Sequence, residues 1–185
     1  MLNKHILVNK SKVKLMFSVL TLAICMALLT GVPNPAQASS HISKTGSVEQ
    51  YKEIARVMVN SVAKGLGGAL ANIKSEKERI ELIRSFIAPI RFYPDNSGYF
   101  YVYDYKCVNI AHAIQKDLQG KNLYDYKDVK GKYVIRALSE AAKKGGGYVD
   151  FYWVKPGSQE QSAKLGYVEP IPGTDYFIGT GVYLP

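Results

Sequence analysis

Apolar side chains recur at helical spacing in the first part of the chain. From Tyr51 to Ile73 one stands at every third or fourth position, which predicts a helix of about six turns with one buried stripe. The predicted stripe consists of Tyr51, Ile54, Met58, Val62, Leu66, Leu70 and Ile73. Ser47 and Gln50 have the spacing of a capping box at its start. A second box, Ser75 to Glu78, precedes a shorter helix. Its predicted apolar face consists of Ile80, Ile83, Phe86, Ile87 and Ile90.

The apolar period changes to two in the next part of the chain, as is typical of strands. Alternation from Gly98 to His112 predicts a hairpin that turns near Asp104 and Lys106. One face of this hairpin then carries Tyr99, Tyr101 and Tyr103, and the other carries Phe100 and Val102. Both faces are apolar enough to be covered, one by helices and the other by core residues or a pocket.

Three further strands are predicted in the second half of the chain, over 148–154, 163–169 and 176–183. A polar loop over 115–129 and a short helix over 132–144 separate them from the hairpin. The expected fold class is α+β, with a long N-terminal helix and a second helix packed on a five-stranded, mainly antiparallel sheet.

The first 38 residues have the three parts of a secretory signal peptide. A basic start precedes an apolar run from Leu15 to Leu29, and Ala36 and Ala38 supply a small-x-small cleavage site. The run is shorter than the roughly 20 residues that cross a bilayer, so a retained anchor is the weaker alternative. We expect cleavage after Ala38, a lead-in over 39–46, one domain over 47–185 and a periplasmic or secreted location.

The charge of the chain changes when this segment is removed. The whole chain has 24 Lys and Arg against 15 Asp and Glu; loss of four lysines leaves 20 bases and a net charge of +5. These charges are interspersed, which disfavours nucleic-acid binding. Cys107 is then the one cysteine, so no internal disulfide is expected. Neither a metal-ligand cluster nor a phosphate-binding glycine loop stands in the sequence, so no metal, cofactor or catalytic residue is predicted.

A few polar groups remain among the aromatic residues. Arg91 precedes the predicted sheet, His112 ends its second strand and Lys164 lies in its fourth. An Arg and a Lys that converge on a pocket would bind a carboxylate. Each of them alone is more often a surface charge, and the tyrosines are more often core residues, so both interpretations stay open at this point.

Several short motifs occur here in an order that resembles the single Cache domain (type 2) family. They are Gly98–Asp104, Ala111–His112, Gly120–Leu123, Gly147–Asp150, Trp153–Gly157, Lys164–Val168 and Pro172–Tyr183. The resemblance implies a PAS-like sheet with a long N-terminal helix. It also implies an extracytoplasmic sensor of small molecules, often short organic acids, as in bacterial chemoreceptors and histidine kinases. The pocket positions that it implies are Arg91, Tyr99, Tyr101, His112, Trp153 and Lys164.

The chain departs from the family pattern in three places. Cys107 stands where a turn glycine is common, Ala113 stands where proline often follows the histidine, and no second membrane helix or output module follows Pro185. The leading hypothesis is therefore an exported, stand-alone binding domain for a small carboxylate, with no membrane span after cleavage, that acts through a membrane receptor or histidine kinase. The alternatives are an interaction module without a small ligand, or a small enzyme that uses His112 and a tyrosine as acid and base.

Overall fold

The structure is a computed structural model that describes residues 47–185. The predicted signal peptide over 1–38 and lead-in over 39–46 lie outside the described residues. The helices are α1 (Val48–Leu70), α2 (Glu76–Ile87) and α3 (Val134–Lys143), with a 3-10 turn at Lys116–Leu118. The strands are β1 (Tyr101–Asp104), β2 (Asn109–His112), β3 (Gly147–Val154), β4 (Gln161–Pro170) and β5 (Tyr176–Tyr183). None of the described helices has the length and apolar composition needed to cross a membrane.

Helix α1 begins at the predicted capping box, where the Gln50 amide donates to Ser47 Oγ over 3.3 Å and the Ser47 amide donates to Gln50 Oε1 over 2.8 Å. Its buried residues are Ala55, Val59, Ala63, Leu66 and Leu70. The predicted stripe is therefore right at Leu66 and Leu70. In the first part of the helix the buried positions lie one residue after the predicted ones, and Ile54 is 41% exposed. Two alanines lie on the buried face because small side chains let the helix approach the sheet closely.

Helix α2 begins at Ser75, whose Oγ accepts a hydrogen bond from the Glu78 amide over 3.4 Å. It buries Ile83 and Ile87 as predicted, but Phe86 is 44% exposed and was wrongly placed on the buried face. The helix packs against β2, where Arg84 Nε donates to the Ile110 carbonyl over 2.8 Å.

The five strands form one antiparallel sheet in the order β2-β1-β5-β4-β3. This arrangement, with helices packed on it, confirms the predicted fold class. The last strand, β5, lies at the centre between the hairpin and β4. In register, Tyr101 of β1 lies opposite both His112 of β2 and Gly179 of β5.

The turn of the first hairpin depends on Asp104, whose Oδ1 accepts hydrogen bonds from the amides of Lys106 and Val108 over 2.9 and 2.8 Å. Cys107 has a φ of +68° in this turn. That left-handed conformation favours glycine, which explains why a glycine is expected at this place from the family resemblance.

The two faces of the sheet have different covers. Successive residues of a strand point to opposite faces. On β4, Glu169 therefore points to the side of α1, where it accepts a hydrogen bond from Asn60 Nδ2 over 3.0 Å. Lys164 points to the other side, towards α3. The candidate site lies on this second face.

Candidate functional site

A small cavity, partly open to solvent, lies between the sheet and α3. Its lining residues are Tyr99, Tyr101, Tyr103, His112, Val134, Ile135, Leu138, Phe151, Trp153 and Lys164. The three tyrosines come from one face of the first hairpin strand and its approach, as the alternation predicted. The structure thus brings together five of the six positions implied by the family resemblance.

Lys164 is the basic residue of this cavity and is 1% exposed. Its Nζ lies 3.5 Å from the hydroxyl of Tyr183 and 4.0 Å from the ring centre of Tyr99. Within residues 47–185, no carboxylate pairs with it. Burial holds the pKa of Lys164 well below its usual value, because an ammonium ion loses its hydration here. The cavity therefore contains a donor that lacks an anionic partner.

Glycines on β4 and β5 make room for the polar side chains of the site. A Cβ on Gly179 would lie 2.6 Å from the Tyr101 ring, and one on Gly181 would lie 2.9 Å from Cε of Lys164. The Tyr101 ring and the Lys164 stem therefore lie flat across the central strand. This arrangement directs the Lys164 amine into the cavity instead of towards the edge of the sheet.

His112 has a fixed tautomer. Its Nδ1 accepts hydrogen bonds from the amides of Ile114 and Gln115 over 3.3 and 2.9 Å, which places the ring proton on Nε2. Nε2 has no acceptor among the described residues, and His112 is one of the residues that line the cavity. Burial, followed by the nearby cations of Lys164 and Arg91, lowers the pKa of His112 to about 3. His112 is therefore a neutral hydrogen-bond donor at physiological pH.

The hydroxyl protons of the tyrosines are used within the fold. Tyr183 donates to the Val154 carbonyl over 2.7 Å, and Tyr99 shares a 3.1 Å hydrogen bond with Tyr183. Tyr101 donates to the Thr180 carbonyl over 3.2 Å. Burial raises the pKa of Tyr99 and of Tyr101 well above the usual value, so both phenols stay uncharged. These rings form the walls of the cavity and contribute no negative charge to it.

Trp153 closes the β3 side of the cavity. Its indole Nε1 donates to Gln115 Oε1 over 2.7 Å, and its ring stacks on His112 with centroids 6.3 Å apart. Gln115 thus contacts both His112, through its amide, and Trp153, through its side chain. The indole N–H is used in this contact, so the lining residues that can still donate to a ligand are Lys164, His112 and Tyr103.

Arg91, the sixth implied position, does not line the cavity. Its guanidinium donates to the carbonyls of Ala88, Ile90 and Ala113 over 3.0, 2.6 and 2.9 Å. Arg91 therefore joins the end of α2 to the chain that follows His112. The positive charge of Arg91 affects the site only by helping to lower the pKa of His112.

Sequence reasoning missed two contributions to the site. Tyr183 lies opposite Lys164 in the β4–β5 register, a pairing that only the sheet order reveals. Val134, Ile135 and Leu138 of α3 form an apolar wall. The helical period had placed Val134 and Leu138 on a buried face without indicating that this face covers a cavity.

The polar groups of the site are few and none of them is acidic. No group of three or more His, Cys, Asp or Glu able to hold a metal ion occurs in the described part of the chain. The cavity instead combines one buried lysine amine, one neutral imidazole and apolar walls. Such a site can hold one negatively charged group with an apolar remainder.

Comparisons with known proteins agree with this geometry. Sensor histidine kinase MctS of Rhizobium johnstonii is 41% identical over 87 residues, which are 47% of this chain and 19% of the kinase. The solved structure of a methyl-accepting chemotaxis protein from Vibrio parahaemolyticus has a TM-score of 0.64 at 33% identity and covers 74% of this chain and 90% of its own. A Cache chemosensory domain solved for its carboxylic acid recognition has a TM-score of 0.65 at 25% identity, covering 76% and 100%.

The chain spans less than a third of the length of the curated relatives it matches. The family model of the Cache domain matches residues 37–185, which is most of the sequence. The chain therefore belongs to the Cache domain family.

Proposed function

We propose that this protein is an extracytoplasmic sensor domain that binds a short carboxylate of two to four carbons between Lys164 and His112. The observation that carries this proposal is the buried Lys164 amine, which faces a cavity and has no acidic partner among residues 47–185. An ion pair with a ligand would satisfy this group, whereas the empty fold does not.

The charge balance of the cavity favours a single carboxylate on the ligand. Lys164 is the one cation that lines it, since Arg91 is engaged by backbone carbonyls. A second carboxylate would have to lie against Ile135, Leu138 or an aromatic ring, where it would lose its hydration without a partner. We therefore expect monocarboxylates to bind better than dicarboxylates of similar length.

The remaining walls favour a short apolar remainder on the ligand. Phe151, Trp153 and the α3 side chains supply apolar walls that would contact such a remainder. The related Cache domain solved for carboxylic acid recognition supports this ligand class. The similarity to a sensor kinase and to chemotaxis receptors supports a receptor or kinase as the signalling partner.

The position of His112 argues against acid–base catalysis as the function. A general base needs a free lone pair, and the Nδ1 lone pair of His112 accepts two backbone amides. The phenol protons of Tyr99, Tyr101 and Tyr183 are donated within the fold, to carbonyls or to another phenol. Both observations support binding instead of proton transfer at this site.

A melting experiment with a panel of anions tests the proposal. A ligand that binds only the folded state stabilises it by RT ln(1 + [L]/Kd), about 2.7 kcal/mol at a hundredfold excess over Kd. Acetate, propionate, lactate and pyruvate should raise Tm, and succinate should raise it less. If no monocarboxylate in the panel changes Tm, the proposal is wrong.

Two variants locate the effect at the cavity. Lys164→Met keeps the apolar stem and removes the amine, so it should abolish the ligand shift while the empty domain melts at the same or a higher temperature. Lys144→Met, at an exposed position after α3, is the matched control and should keep the shift. A ligand shift that survives Lys164→Met would contradict the assignment.

A further inference from the structure

We infer that this site takes up one proton whenever it binds a carboxylate anion. Binding therefore depends on pH as well as on the concentration of the anion. The inference rests on the proposed function and adds a coupling between ligand and pH. Its physical basis is the state of Lys164 before and after an anion enters the cavity.

In the empty cavity, little compensates a charge on Lys164. Its Nζ reaches one phenol oxygen at 3.5 Å, and removing an ammonium from water is costly even after relaxation. The ring faces of Tyr99 and Tyr183, with centres 4.0 and 4.5 Å from Nζ, offset only part of that cost. The balance favours the neutral amine, which agrees with the direction of its pKa.

The groups that face Lys164 from each neighbouring element supply no negative charge. Tyr99 and Tyr101 come from the first hairpin strand, His112 from β2, Trp153 from β3 and Tyr183 from β5, and α3 contributes apolar side chains. Burial raises the pKa of each of these tyrosines, so they remain neutral phenols. Arg91 acts as a nearby cation on His112, and no carboxylate among the described residues pairs with Lys164.

A bound carboxylate reverses this balance. The anion pairs with an ammonium but not with an amine, so Lys164 takes one proton from solvent as the ligand binds. The net process is amine plus carboxylate plus proton giving an ammonium carboxylate pair, and no covalent bond changes. His112 cannot accept this proton, because its Nδ1 accepts two backbone amides and its Nε2 already carries hydrogen.

Calorimetry on the folded chain with propionate as the probe tests the coupling. Titrations in two buffers of different ionisation enthalpy measure the number of protons taken up per ligand. At pH values above the lowered pKa of Lys164 in the empty domain and below its pKa in the complex, uptake should approach one proton and Kd should rise by up to about tenfold per pH unit. A proton uptake of zero across this range, with propionate still bound, would overturn the inference and leave the proposed function intact.

Variants and the empty protein complete the test. His112→Asn should bind propionate more weakly but with the same proton uptake, because the proton goes to Lys164; loss of the uptake in this variant would contradict the inference.

In the absence of ligand, the stability of the wild type relative to Lys164→Met should rise as pH increases towards about 10, since the unfolded chain binds the extra proton there. Parallel stability curves for the two proteins would also overturn the inference. If no anion binds at all, the inference falls with the proposed function.

Discussion

The ring of Tyr101 lies over Gly179, its partner across the β1–β5 pair, so closely that a Cβ at Gly179 would come within 2.6 Å of the ring. This contact lets Tyr101 reach the Thr180 carbonyl and form one wall of the cavity. The glycine is therefore a requirement of the site as much as of the strand.

Gly179→Ala should displace the Tyr101 ring into the cavity and destabilise the domain by about 1 to 3 kcal/mol, because the site is closely packed. It should also weaken any ligand-induced rise in Tm. Gly65→Ala is the matched control, since nothing lies within 4 Å of its added Cβ and the residue is in a helix. That variant should be stabilised by about 0.5 to 1 kcal/mol. Equal effects of the two substitutions in urea unfolding would contradict this account of Gly179.

Helix α1 contributes to stability through its C-terminal stripe. Leu66 and Leu70 are fully buried against the core, so replacing either by Ala should cost about 2 to 5 kcal/mol in urea unfolding. Ile54, one residue out of register with the buried face, is the control, and Ile54→Ala should change stability by less than about 0.5 kcal/mol. A large loss at Ile54 would show that this exposed face has a partner.

Much of the fold could be predicted because strand and turn signals are local. The alternation around Tyr99 to Tyr103 identified one wall of the cavity, and Asp104 and Lys106 marked the turn. The first half of the α1 stripe could not be predicted, because the large apolar side chains of Ile54 and Met58 dominate the sequence pattern. The small Ala55 is the residue that is buried there. Size alone does not show which face lies on the sheet.

The candidate site was less predictable than the fold. Arg91 has the charge and position expected of a residue that binds an anion. Its guanidinium instead donates to three backbone carbonyls near the end of α2 and after β2. Tyr183 became part of the site only through the register between β4 and β5. Both outcomes depend on contacts between residues far apart in sequence, which local patterns do not contain.

The export of the protein remains a prediction from the sequence, since residues 1–46 lie outside the described part of the chain. Cleavage after Ala38 should give a mature chain that begins at Ser39. Intact-mass measurement of protein recovered from the periplasm or the medium checks this. Recovery of the full-length chain in the membrane fraction would favour the anchored alternative.

The stability of the domain should depend on pH through His112. Its pKa is about 3 in the fold and about 6.5 in the unfolded chain, so the unfolded chain binds more protons between these values. The contribution of neutral His112 is therefore fully present above about pH 6.5 and is lost as pH falls towards about 3. The loss should reach about 2 to 3 kcal/mol by about pH 4.5, at 1.36 kcal/mol per pH unit.

His112→Asn separates this effect from other titrations. The Asn side-chain oxygen can take the place of Nδ1 and accept the amides of Ile114 and Gln115, while the variant has no group that titrates in this range. The carboxylates titrate alike in both proteins, so their effect on the free energy of unfolding cancels when the acid losses of the two proteins are subtracted. Urea unfolding of the wild type and of His112→Asn at about pH 7 and about pH 4.5 should show a smaller acid loss in the variant. Parallel losses would mean that the fold does not lower the pKa of His112, and the neutral state assigned to it at acid pH would then be wrong.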